Sequence, residues 1–133
     1  MARLLEFPMP TMAIFYGTAI ANGLFWGLCH DQRIMNDKVG FLCLSELKLG
    51  VAIPKPYIKV TAAKLNPSVC LKYFYAIDAS PKEAVKDGVI DDTYSSGADL
   101  QTKISAFVKR YAPLSTSRAV SYTHLTLPTI LRV

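Results

Sequence analysis

The chain has 133 residues, 15 of them Lys or Arg and 10 Asp or Glu, for a formal charge of +5; 51% are hydrophobic and only 19% charged. That length makes one small domain, and the apolar balance excludes a disordered tail or a charged coiled coil. Cys29, Cys43 and Cys70 lack C-x-x-C spacing and leave one thiol over in any disulfide scheme, which points to a reducing compartment and not to secretion.

Phe7 to Cys29 carries no charged residue and is long enough to cross a bilayer. Pro8, Pro10, Gly17, Asn22, Gly23 and Gly27 divide it into short pieces, and no Lys or Arg cluster flanks it. No membrane span is expected there, nor a signal peptide, since no small-residue cleavage site follows.

In chain order, Ala2–Phe7 reads as the last turns of a helix stopped by Pro8 and Pro10. Thr11–Tyr16 is an apolar run of strand length, and Gly17–Gly23 a small-residue turn leading into a helix that ends near Cys29. Asp31–Met35 and Gly40–Leu44 read as strands on either side of an Asn36-Asp37 turn, and Tyr57–Leu65 as a helix after Pro54 and Pro56. Asn66-Pro67 stops that helix and starts another. Ser80-Pro-Lys-Glu83 is a capping box opening a short helix that ends at Gly88, and Val89-Ile90-Asp91 follows as a stub of strand. Ser96–Asp99 opens a last helix with Leu100, Ile104, Phe107, Val108 and Tyr111 on one face. The alternation predicts an α/β protein.

Residues 119–133 have no acidic residue and no helical period. They resemble the peptide obtained when a sequencing adapter is translated, so they are expected to be a non-native or disordered tail. Residues 1–118 are expected to form the domain.

Three segments carry candidate chemistry: Pro10–Ile14 with Gly17–Gly23, then His30–Met35, then Gly40–Gly50. A small-residue turn at a helix start exposes backbone N–H groups, a setting suited to a developing negative charge. Glu46, between Phe41–Leu44 and Leu47, has the most apolar neighbourhood of any carboxylate in the chain, a setting suited to proton transfer. Taken alone, the same residues read equally as an ordinary strand-to-helix turn and as a loop carboxylate paired with Lys48. Phe25 and Trp26 read equally as core. His30 and His124 lie far apart, and no metal site is expected.

Together with Ser80–Asp91, these segments resemble the enoyl-CoA hydratase/isomerase (crotonase) superfamily over about residues 7–111, and most nearly its monofunctional Δ3,Δ2-enoyl-CoA isomerases. The resemblance implies a partial crotonase-like ββα spiral lacking its N-terminal strands and C-terminal helices, with the chain a piece of a longer protein and inactive alone. It makes Glu46 the catalytic base and the Asn22 backbone N–H an oxyanion donor, with Ala19, Ala21, Phe25, Ser45 and Leu49 around the substrate. Hydratases of the family carry a second glutamate where this chain has Phe25, so the implied reaction is isomerisation with one carboxylate. Asp31 fixes the turn at its strand, and Lys48, Lys55, Lys59 and Lys64 are candidates for attracting the polyanionic CoA.

The implied substrate is an acyl-CoA, with no further cofactor. The implied assembly is a trimer-like homo-oligomer of peroxisomal or mitochondrial fatty-acid β-oxidation. A non-catalytic crotonase-like module that associates with full-length subunits is the alternative, and a hydratase a weaker one. Nucleic acid is not an expected partner, because the basic residues neither cluster nor interleave with aromatics.

Overall fold

The computed structural model describes residues 2–116. One helical turn, α1 (Ala2–Leu5), is followed by β1 (Met12–Phe15), β2 (Ala19–Ile20), α2 (Asn22–Leu28), β3 (Gln32–Asn36) and β4 (Leu42–Cys43). Four helices and a strand complete the order: α3 (Lys55–Lys64), α4 (Pro67–Phe74), α5 (Pro81–Lys86), β5 (Asp92–Tyr94) and α6 (Gly97–Tyr111), then a 3-10 turn at Ala112–Thr116. The expected tail at 119–133 lies outside the described residues.

All strand pairs are parallel. One sheet has the order β1-β3-β5, with Met12 opposite Gln32 and Ile34 opposite Asp92, and the other pairs β2 with β4, Ala19 opposite Leu42. Two passes of the chain each lay a strand in the first sheet, a strand in the second and then a helix, and a third lays β5 in the first sheet before α6. This is the expected ββα spiral, present in part.

Three helix starts lie where the sequence places them, each for a local reason. Asn66 Oδ1 accepts from the Val69 N–H at 3.0 Å, the Ser80 hydroxyl and the Glu83 carboxylate form a full capping box, and the Ser96 hydroxyl accepts from the Asp99 N–H. The main core gathers Leu24, Phe25, Leu28, Met35, Leu42, Leu44, Tyr73 and Ile90, all buried. A smaller cluster of Ile34, Tyr94 and Leu100 covers the other face of β3. Gly27 is required where it stands, because a Cβ there would lie 2.1 Å from the Phe15 ring.

Four expectations are corrected. Ala19–Ile20 is a strand and not part of a turn, since two residues suffice to pair with β4. The strand read at Val89–Asp91 lies three residues later. The Val89 and Ile90 N–H groups bond to the Ala84 carbonyl and wrap the end of α5, so their burial is not ladder pairing. α3 starts two residues earlier than read, with Pro56 tolerated in its first turn. On α6 only Leu100 is buried, while Ile104, Phe107 and Tyr111 are half-buried and Val108 is exposed. Among the described residues no helix is long and apolar enough to cross a membrane.

Candidate active site

The turn between β2 and α2 is built around Ala21, whose φ of 50° and ψ of −117° lie where L-residues rarely sit. Its N–H donates to the Cys43 carbonyl at 2.9 Å, extending the β2–β4 pairing by one residue, and its carbonyl accepts from the Phe25 N–H at 3.1 Å. The chain therefore turns from strand to helix within a single residue. No side chain caps α2, so its first backbone N–H groups, Asn22's included, lack the helical partner that later residues have. Ala21, which replaces a glycine of the family pattern, thus holds a glycine-type geometry in spite of its Cβ, whereas Asn22, the other replacement, is an ordinary first residue of α2.

Glu46 follows β4 by three residues. Ser45 and Glu46 are half-buried, and a tight turn carries the chain on: the Leu49 N–H reaches the Ser45 and Glu46 carbonyls, and the Val51 N–H donates to the Glu46 carbonyl at 2.9 Å. Glu46 Oε2 is buried and has no hydrogen-bonding partner among the described residues. Lys48 is not its partner. Lys48 Nζ bonds to Asp78 Oδ1 at 2.7 Å and lies 3.7 Å from Cys43 Sγ. That bond raises the Lys48 pKa and lowers that of Asp78. Burial, together with the nearby Asp78, pushes the Cys43 thiol up to about 11, which keeps it protonated and inert.

Because β2 and β4 are adjacent and parallel, Asn22 and Glu46 leave the sheet at the same end, the carboxyl ends of the strands, where α/β folds bind their ligands. Of the other residues that the sequence places around a substrate, Ala19 is buried within the β2–β4 pair, Ser45 sits beside Glu46, and Leu49 is exposed on the turn. Phe25 is 0% exposed, and its ring lies 4.5 Å from that of Tyr57 at an interplanar angle of 11°. Two partners of the site carry no signature in the sequence: Tyr57, which reads only as a helix start, and Asp78, which is remote in the chain from Lys48.

Asp31 Oδ2 accepts from the Thr11 N–H at 2.7 Å and from its hydroxyl at 2.9 Å, fixing the start of β3 against that of β1. Of the four lysines, Lys48 is engaged by Asp78. Lys64 is half-buried with Nζ 3.4 Å from the His30 carbonyl, and burial lowers its pKa.

A parallel ββα spiral that brings a backbone donor turn and an unpaired carboxyl to one end of a strand pair has a crotonase-type fold. No family model matches the chain. Over 101 residues it is 32% identical to enoyl-CoA delta isomerase 3 of Arabidopsis thaliana, a match covering 74% of this chain and 42% of that protein. Peroxisomal enoyl-CoA delta isomerase 1 of the same plant is 31% identical over 100 residues, with the same coverage. Among solved structures, an enoyl-CoA hydratase of Mycobacterium marinum matches at a TM-score of 0.83 and 26% identity, over 96% of this chain and 56% of that one. The chain spans about two fifths of the length of these curated relatives. It belongs to the enoyl-CoA hydratase/isomerase superfamily.

Proposed function

We propose that the protein works as a Δ3,Δ2-enoyl-CoA isomerase, with an acyl-CoA thioester as substrate and no cofactor besides. Glu46 takes a proton from C2 of a 3-enoyl thioester, and the electron pair moves onto the thioester oxygen to give a dienolate. The backbone N–H of Asn22 donates to that oxygen. The dienolate then collapses to a C2=C3 double bond as C4 receives the proton back from Glu46. No atom is gained or lost, and one carboxyl serves both steps.

The observation that carries this reading is the joint exit of Asn22 and Glu46 from adjacent parallel strands, pinned by the Ala21 N–H bond to Cys43. Phe25 supports isomerisation over hydration, because a buried phenyl ring cannot hold the water that a second carboxyl would orient. The isomerase names of the matched plant proteins agree with it. One of them is named peroxisomal, which favours the peroxisome over the mitochondrion and a place in fatty-acid β-oxidation. Family likeness makes a trimer-like homo-oligomer the assembly to look for.

The test is conversion of a 3-enoyl-CoA to the 2-enoyl isomer by the full-length protein and by Glu46→Gln. The substitution is expected to lower kcat by about 10²–10⁴. An unchanged rate would overturn the assignment and favour a non-catalytic module, while release of a 3-hydroxyacyl-CoA would favour a hydratase.

A further inference from the structure

We propose that Tyr57 is a positioning residue of this site, setting the separation between the Asn22 turn and the Glu46 loop through its stack on Phe25. The inference rests on the isomerase reading above. Phe25 is tied to the donor turn by a single bond, from its N–H to the Ala21 carbonyl at 3.1 Å, so its ring moves with that turn. Tyr57 is tied into the first turn of α3: its N–H donates to the Pro54 carbonyl at 2.9 Å, and its carbonyl accepts from the Thr61 hydroxyl at 2.9 Å. Between β4 and α3 the chain carries Glu46 on a turn whose Leu47, Leu49 and Val51 side chains are all exposed. The Lys48–Asp78 bond holds the middle of that turn, and its two ends set the rest of its placement. β4 fixes one end by pairing with β2, and the Tyr57–Phe25 stack fixes the other against α2.

The stack joins the first turn of the helix that carries the donor to the first turn of the helix that follows the base. A small shift of one relative to the other displaces the base from the donor, and misplacement by about 1 Å can cost on the order of 10²-fold in rate. An aromatic pair that served only as core filling would change stability and leave the chemistry alone.

The experiment compares the full-length protein with Tyr57→Leu, Tyr57→Met and Tyr57→Phe. It measures kcat and KM on a 3-enoyl-CoA, and the enolate absorbance of bound acetoacetyl-CoA, which reports the donor side without needing proton return. Leu and Met keep apolar bulk but cannot stack, so a second variant stands if one fails to fold. Both are expected to lower kcat by about tenfold with KM changed by less than about twofold, and to weaken the enolate band. Phe is expected to restore both. A Leu or Met variant that loses melting temperature but keeps kcat and the enolate band would overturn the inference. Glu46→Gln run alongside separates the two readings: if it abolishes turnover while the Tyr57 variants do not, only the positioning role falls. If Glu46→Gln is as active as the parent, or the parent itself is inactive, the functional reading falls and takes this inference with it.

Discussion

Ala21 holds a backbone conformation that a glycine would adopt without strain, and this is testable at the level of one methyl group. Such a conformation costs an L-residue about 1–3 kcal/mol, while glycine adds about 0.5–1 kcal/mol of unfolded-state entropy. Ala21→Gly is therefore expected to stabilise the protein by about 1 kcal/mol, read as a higher urea midpoint at unchanged slope. A lower midpoint would mean that the turn does not need φ near +50°. Gly27→Ala is expected to act the other way. Its methyl would collide with the Phe15 ring, and overpacking of this kind costs about 1–3 kcal/mol, measured in the same titration. The sequence singles out Ala21 and Asn22 through the family resemblance, as part of the small-residue turn at a helix start. It gave no warning of Gly27, whose necessity comes from a ring twelve residues earlier in the chain, on another element.

At the scale of elements, α5 offers a prediction with a definite sign in pH. The Ser80 hydroxyl and N–H donate to Glu83 Oε2 at 2.7 and 2.8 Å, and they hold the Glu83 carboxyl below its usual pKa. A folded-state pKa below the unfolded one contributes stability that is present above the unfolded value and lost as pH falls through the folded value. Between about pH 6 and about pH 3 the urea midpoint should therefore fall more steeply for the parent than for Glu83→Gln. Equal slopes would show that the box does not act through charge. This element was legible because its signals are local: a capping serine, a proline and a glutamate within four residues. β2 and β5 were not, because both exist by virtue of partners far along the chain. Ala19–Ile20 resembles any small-residue turn until β4 lies beside it, and Val89–Ile90 carries a strand-like apolar pair that is buried by the wrap around Ala84. In the proposed site, residue type and order nominate Glu46 and the Ala21–Asn22 turn as candidates. They do not reveal the Tyr57–Phe25 stack or the Lys48–Asp78 bond, since neither spacing marks them.

At the scale of the whole molecule, β1 and β2 each lie at the edge of their sheet among the described residues, and Tyr16 between them is 70% exposed. Free parallel edges beside exposed apolar side chains invite pairing between chains, and a lysine on such an edge opposes it. Tyr16→Lys is expected to reduce self-association of the chain, seen as a later and narrower peak in size-exclusion chromatography. An unchanged profile would mean that association, if observed, uses another face. The strand register also has a consequence for the order in which the protein is made. Thr11 and Asp31, which fix β1 to β3, are 20 residues apart, whereas Arg33 and Asp91, which fix β3 to β5, are 58 apart. As the chain leaves the ribosome, the first pairing is complete long before the second partner has been synthesised. Through that interval the Arg33 side chain, 7% exposed in the finished fold, has no Asp91 carboxylate to meet, and its guanidinium must stay hydrated. Burial of the Arg33 side chain therefore waits on Asp91, the residue just before β5.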